Sequence, residues 1–236
     1  MTLEYYGVKS FAALKVDGSP ITEADKASNE ILNRELKRIR DLPILSEENN
    51  ILPYDVRRNW DSFWLVDPLD GTKEFLNANG EFTINVALIE KDKPAVGVVY
   101  APAKSVVYFS TGGGSFRKDT KTSETTRIKS SKTRGDILRV VVSRSHLNLE
   151  TKAFIVELKK VHDQLELVVA GSSLKICLVA EGSADIYPRF GTTMEWDTAA
   201  AHVIARYAGK KVFNVETKEE LTYNKEDLRN PWFIVE

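Results

Sequence analysis

Four acidic side chains stand where the chain changes element rather than along exposed helix faces: Glu47, Asp67, Asp70 and Asp197. The densest run is Asp67-Pro68-Leu69-Asp70-Gly71-Thr72, directly after the apolar stretch Phe63-Trp64-Leu65-Val66. Pro68 biases Asp67 toward extended backbone. Gly71 permits a tight turn. A helix beginning near Lys73 would aim its free N–H groups at the spot where the carboxylates converge. Two carboxylates ~4 Å apart repel by about 4 kcal/mol at an effective dielectric near 20. A cation turns that penalty into coordination, and carboxylate and carbonyl oxygens suit a hard ion such as magnesium. A helix N-terminus beside such an ion binds phosphate. The chemistry favoured by these residue types is metal-assisted transfer of a phosphoryl group to water. Each acid also has an ordinary reading: Asp-Pro and Asp-Gly are common turn pieces, and Asp197 alone could be a helix N-cap.

Other chemistries find less support. His146, His162 and His202 are scattered without zinc-ligand spacing. The single cysteine, Cys177, cannot form an intramolecular disulfide; it falls in an apolar helical stretch and is expected to be an inert buried thiol. No Gly-x-x-x-x-Gly-Lys-Ser/Thr pattern occurs. Lys plus Arg total 33 against 34 Asp plus Glu, a net charge of -1, so the chain offers no global attraction for a nucleic-acid backbone. No apolar run approaches the ~18 residues of a bilayer span, and the first residues lack a basic-then-apolar leader. A cytoplasmic globular protein is expected, peripheral at the inner membrane if it associates with membrane at all.

The elements that must position the acids follow from periodicity. Thr22 to Arg40 reads as an amphipathic helix with Ala24, Ala27, Ile31, Leu36 and Ile39 in one stripe, Thr22 as N-cap and Asp25 near a capping-box position. Pro43 to Ser46 is a short strand delivering Glu47 and Glu48 to a polar loop, 49–61. Phe63–Val66, Phe82–Ile89, Ala95–Ala101 and Val106–Phe109 are strands of an antiparallel sheet. The charged stretch 111–136 reads as a solvated hairpin between lobes, with a phosphate-steering patch as the alternative. Beyond it come strand 137–143, helix 149–161, strand 165–170, helix 173–181, strand 184–187, helix 198–208 and a last strand, 211–215. This alternation favours a layered α/β arrangement. Two lobes are expected. Residues 1–125 would carry the first helix, the antiparallel sheet and the metal-binding turn. Residues 126–236 would form an α/β lobe with the second metal ligand and the nucleotide contacts.

In order and spacing, these strings resemble the lithium-sensitive, magnesium-dependent inositol monophosphatase superfamily. Within it they are similar to the bacterial 3′(2′),5′-bisphosphate nucleotidases of the CysQ type. The superfamily turn stands as Asp67 to Thr72 and its later tryptophan–aspartate as Trp196-Asp197. Further matching strings are Leu45-Ser46-Glu47-Glu48, Gly80-Glu81-Phe82-Thr83, Ser143-Arg144-Ser145-His146, Gly171-Ser172-Ser173-Leu174-Lys175 and Tyr187-Pro188-Arg189-Phe190-Gly191. The resemblance implies an α/β (α+β type) fold, a layered α-β-α-β-α sandwich of the inositol monophosphatase and fructose-1,6-bisphosphatase kind. It implies two or three Mg²⁺ ions per site. Glu47, Asp67 and the Leu69 carbonyl would hold the first ion, and Asp67, Asp70 and Asp197 the second, with Glu48 as support. Gly71 and Thr72 would meet the phosphate through their amides, while Thr72 and Asp25, with Glu47, serve the attacking water. Ser172 and Ser173 would cap the helix after them, and Lys175, Arg189 and Asp197 would face the substrate. Ser143, Arg144 and His146 are further candidates for the nucleotide end.

The implied reaction is hydrolysis of 3′-phosphoadenosine 5′-phosphate to AMP and phosphate, in the recycling of a by-product of sulfate assimilation. Phosphate-monoester hydrolysis needs up to ~10²¹-fold acceleration, and two ions ~3.5–4 Å apart can hold the attacking and leaving oxygens of an in-line displacement. Three readings compete. An inositol or sugar phosphatase could use the same scaffold. A haloacid-dehalogenase-type phosphatase has one residue between its aspartates, whereas two separate Asp67 from Asp70. A non-catalytic metal or nucleotide-binding protein is the third. Family members begin with a full helix where this chain supplies Met1 to about Phe11. Either the assigned start lies too far downstream or a neighbouring chain covers the gap, as in a homodimer.

Overall fold

The computed structural model describes residues 2–7, 12–14, 20–130, 137–144 and 147–236. Thr2–Tyr5 form one 3₁₀ turn, and Tyr6 packs edge-on against Phe75, with centroids 5.5 Å apart. A small hairpin pairs β1 (Ala12–Leu14) with β2 (Pro20–Thr22). Helix α1 (Glu23–Ile39) starts at a capping box in which the Asp25 carboxylate accepts the Thr22 N–H at 2.7 Å and the Thr22 hydroxyl.

Seven strands form the main sheet, in the order β3 (Ile44–Ser46), β4 (Ser62–Asp70), β5 (Thr83–Glu90), β6 (Lys93–Ala101), β7 (Val106–Thr111), β8 (Gly114–Asp119) and β9 (Thr125–Ile128). β3 runs parallel to β4 and every other pair is antiparallel. One-turn helix α2 (Tyr54–Arg57) interrupts the loop after β3, and α3 (Thr72–Leu76) follows β4. Leu36 of α1 packs with Trp64, Val66 and Leu88 on one face of the sheet. The other face is covered by α5 (Leu174–Glu181) and α6 (Glu195–Tyr207), whose alanines 199, 200, 201 and 205 join the largest core cluster. Small residues are required there: a Cβ on Gly97 of β6 would lie 2.3 Å from the Ala200 carbonyl oxygen.

Beyond α5 and α6 lies a second sheet. β10 (Ile137–Ser143) pairs in parallel with β11 (Gln164–Ala170), and Val140 bridges to Ile186. That bridge leads into β12 (Tyr187–Arg189), then β14 (Phe233–Val235) and β13 (Val212–Asn214). Helix α4 (Leu149–Val161) closes the outside through Ile155, packed with Leu138, Val140, Val142 and Ile234. The layers run α1, sheet, α5 with α6, sheet, α4, so the expected α-β-α-β-α sandwich is present. No helix among the described residues is long and apolar enough to cross a membrane.

Several boundaries differ from the sequence expectation. β4 continues through Asp67 to Asp70 with a register irregularity between them, because Asp67 still pairs with Asn85 and Asp70 with Thr83. The stretch 111–136 contains β8 and β9, which extend the main sheet; residues 131–136 lie outside the described set. The expected strand 184–187 is shifted to Tyr187–Arg189. The strand at 212–214 is not the last, because Phe233–Val235 inserts between it and β12. α6 begins at Glu195, earlier than expected, with Met194 as its N-cap residue. Asp197 is therefore not the N-cap; it is the third helical residue and accepts the Met194 N–H at 2.9 Å.

Candidate active site

Parallel pairing of β3 with β4 carries Glu47 alongside the end of β4, where its N–H donates to the Val66 carbonyl at 3.2 Å. The first turn of α6 brings Asp197 in from the other side. Glu47, Asp67 and Asp197 each offer a carboxylate oxygen, and these atoms lie within 4.8 Å of one another. Asp67 is 1% exposed. Its Oδ1 accepts the Leu69 N–H at 3.0 Å, while buried Oδ2 has no hydrogen-bond partner among the described residues. Burial, then the charges of Glu47, Asp70 and Asp197, push the Asp67 carboxyl well above the usual carboxylate range. Burial and neighbouring Asp70 do the same to Asp197. A buried carboxylate oxygen without a donor, crowded by two further acids, is an expensive arrangement alone. It becomes a favourable one around a hard divalent cation, whose preferred ligands are oxygens. The residues present fit such an ion.

Asp70 stands beside this trio and not within it. Its Oδ2 accepts the Ser173 N–H at 2.5 Å. Burial raises its pKa to about 6, with Lys175 and the Ser173 N–H opposing the shift. The Leu69 side chain is buried with Ala24, Phe75 and Phe82 and anchors the turn. Gly71 takes the left-handed conformation, φ +89°, that lets the chain swing from β4 into α3. Thr72 then begins α3 and lines the cleft. Asp25 is buried at the first turn of α1. Burial raises its pKa to about 6 against the two Thr22 hydrogen bonds, with Glu48 and Glu47 adding to the rise.

The cleft has a volume of about 280 Å³ and is lined by Glu47, Asp70, Gly71, Thr72, Ser172, Ser173, Lys175, Arg189 and Asp197, all anticipated from the sequence. Lys175 donates to the Ser172 carbonyl at 2.6 Å and its ammonium lies 5.7 Å from the Tyr187 ring centroid. Burial lowers its pKa to about 8, although Asp70 holds the charge in place. Arg189 donates to the Thr192 carbonyl at 2.9 Å, and its buried Nε has no partner among the described residues.

Two expectations need correction. Ser173 does not cap α5. Its backbone is already helical and its hydroxyl is engaged with Thr83 at 2.9 Å and Asn85 at 2.8 Å, while its amide serves Asp70. Ser172 offers only a long 3.4 Å contact to the Leu174 N–H. Arg144 forms a two-pronged ion pair with Glu81, both bonds 2.9 Å, and does not line the cleft. Ser143 does line it; His146 lies outside the described residues.

Sequence reasoning missed the polar face of α1. Ser28 donates to the Pro68 carbonyl at 2.9 Å, and Asn29 accepts from the Ser46 hydroxyl at 2.8 Å and donates to Asn49 at 2.9 Å. These bonds tie α1 to both acid-bearing segments. The signal was present as two polar residues beside the apolar stripe. Glu74, Tyr187, Thr192 and Thr193 also line the cleft unanticipated. Cys177 is fully buried, with its thiol pushed up by burial, as expected.

Residues 4–231 match the inositol monophosphatase family. The chain is 42% identical over 233 residues to the 3′(2′),5′-bisphosphate nucleotidase CysQ of Salmonella typhimurium, covering 98% of this chain and 91% of that protein. The crystal structure of CysQ from Bacteroides thetaiotaomicron superposes with a TM-score of 0.89 at 46% identity, covering 100% of this chain and 91% of that one. The IMPase of Thermotoga maritima shares the fold with a TM-score of 0.78 at 23% identity, covering 99% of this chain and 85% of that one.

Proposed function

The chain belongs to the inositol monophosphatase family, and we propose on that footing that it is a 3′(2′),5′-bisphosphate nucleotidase. It removes the 3′-phosphate of 3′-phosphoadenosine 5′-phosphate, giving AMP and phosphate. The observation that carries this reading is the Glu47, Asp67 and Asp197 trio, with its unpartnered buried oxygen, beside a cleft that also presents Lys175 and Arg189. The residues that would hold magnesium, as two or three ions, are Glu47, Asp67, Asp70, Asp197 and the Leu69 carbonyl. Bound there, magnesium supplies positive charge toward phosphate oxygens and acidifies water.

The remaining work falls to the chain's own groups. Asp25, with a pKa near 6, suits a base acting close to neutral pH, and Thr72 with it orients the water for in-line attack. The Gly71 and Thr72 amides receive the phosphate at the bend into α3. Lys175 and Arg189 meet the second phosphate of the substrate, so a monophosphate would forfeit their contribution. Residues 1–125 and 126–236 act as the two lobes, each supplying part of the site. A cytoplasmic location and assembly as a homodimer complete the proposal.

The test is phosphate release from 3′-phosphoadenosine 5′-phosphate and from inositol 1-phosphate, each with and without magnesium. Magnesium-dependent turnover with a large preference for the nucleotide supports the reading. A large preference for inositol phosphate would overturn it in favour of an inositol phosphatase.

A further inference from the structure

Arg57 lies in α2, on the same connection that carries Glu47, and is 2% exposed. The hydrogen bonds of this buried cation go to neutral oxygens. Its Nε donates to the Leu52 carbonyl at 2.9 Å, Nη1 to Asn224 Oδ1 at 2.7 Å and the Lys225 carbonyl at 3.2 Å, and Nη2 to the Glu226 carbonyl at 3.4 Å. Asn224 returns the contact, its Nδ2 donating to the Arg57 carbonyl at 2.7 Å. The opposite side of the same turn meets a buried anion. Glu195 is 0% exposed and accepts from the Asn224 N–H at 2.6 Å, the Lys225 N–H at 3.0 Å and the Lys225 ammonium. The Glu195 N–H donates to the Leu228 carbonyl at 2.9 Å.

The turn at 224–226 is thus gripped between a guanidinium and a carboxylate. Burying both charges carries a desolvation cost, and apolar residues of similar volume would hold two segments together as well. What the charges add is direction: each bond fixes an angle as well as a distance. The segments so fixed are those that carry opposite members of the acid trio. Glu195 opens α6 and Asp197 sits in the same turn. Arg57 terminates α2 on the Glu47 connection.

We propose that Arg57, Asn224 and Glu195 form a positioning clamp that sets the separation of Glu47 and Asp197 and thereby the affinity for a divalent cation. The clamp rests on the reading of the acid trio as a metal site. The test is calorimetric titration of magnesium chloride into the full-length protein freed of metal, with the thermal unfolding midpoint measured on the same samples. The variants are Arg57→Gln, Asn224→Ala and, as a control in the distant α4 core, Ile155→Val. The expected result is at least tenfold weaker magnesium binding in the two clamp variants. Ile155→Val, also destabilised, binds magnesium like the wild type. Asn224→Ala leaves both buried charges in place and decides the matter if Arg57→Gln fails to fold. Magnesium affinity within twofold of wild type in the folded clamp variants would overturn the clamp. A wild-type protein that binds no magnesium would overturn the metal reading beneath it.

Discussion

Asp67→Asn removes one charge from the acid trio while keeping the side chain's shape. Asp67 is 1% exposed, and the trio can bring its oxygens within 4.8 Å. At that separation and an effective dielectric of about 20, each pair of ionised carboxylates repels by about 3.5 kcal/mol. With Glu47 and Asp197 both facing Asp67, full ionisation would carry about 7 kcal/mol of repulsion. Proton uptake caps this, because burial and neighbouring acids hold Asp67 and Asp197 well above the usual carboxylate range. About 2–3 kcal/mol is therefore the expected gain near pH 7.5 with chelator present, worth roughly 5–10 °C in a chain of this size. Scanning calorimetry in EDTA reads it directly. Magnesium should reverse the order: at about 1,000 times its Kd it stabilises the wild type by about 4.1 kcal/mol, more than the variant's lead, and the Asn variant gains little. If Asp67→Asn melts at or below the wild type in EDTA, the trio is not a cluster of mutually repelling charges and the argument for a cation fails.

Asp70→Asn should abolish magnesium-dependent phosphate release while leaving far-UV circular dichroism unchanged, since the Asp70 carboxylate accepts the Ser173 N–H, a bond that an Asn carbonyl can also accept; near-normal turnover would remove it from the site. Gly97→Ala would set a Cβ 2.3 Å from the Ala200 oxygen and 2.5 Å from Val203 Cγ1. It should lower urea stability by about 1–3 kcal/mol, as overpacking does, and weaken magnesium binding by displacing α6. In EDTA the pH dependence follows from signs. Asp25 and Asp70, raised from 3.8 to about 6, favour the folded state below pH 4 and lose that contribution as pH rises through about 6. Glu220, lowered to about 2 by its bond to His202, contributes above pH 4.5 and loses that contribution as pH falls through about 2. Stability without metal should thus be greatest near pH 4–5, and saturating magnesium should move the optimum upward because it competes with protons for the same oxygens; equal optima with and without magnesium would contradict this.

The site was more legible in the sequence than its supports, for a physical reason. Asp67 to Thr72 compresses two acids, a helix start and a left-handed glycine into six residues, and such a turn has few alternatives. The helix over Glu23–Ile39 was equally plain, because its stripe and cap agree. Phe233–Val235 was missed because three apolar residues carry no periodicity; the strand exists only through pairing with both β12 and β13. The start of α6 was placed late because Met194 is an unusual N-cap residue, and the capping carboxylate, Asp197, comes from inside the helix. Ser173 was read as a cap because serine before a helix is usually one. Its partners Thr83 and Asn85 lie on β5, which no local pattern could reveal.

A net charge of -1 argues against a polyanionic partner only if charge acts as a total. Here it acts by placement. Burial drives the acids toward their neutral forms, whereas Lys175, lowered only to about 8, keeps most of its charge near neutral pH. Without ligands, the cleft therefore suppresses the carboxylate charges that a cation would need. A divalent cation restores the carboxylates to their ionised state, since their pKa values fall once the positive ion is near. On the proposed reading, an arriving phosphate would meet the charged Lys175 and offer an acceptor to the Arg189 Nε, which has no partner among the described residues. A cation on the carboxylates also cancels the repulsion they would exert on a phosphate, so each should bind more tightly in the presence of the other. That mutual dependence needs no net positive charge on the chain.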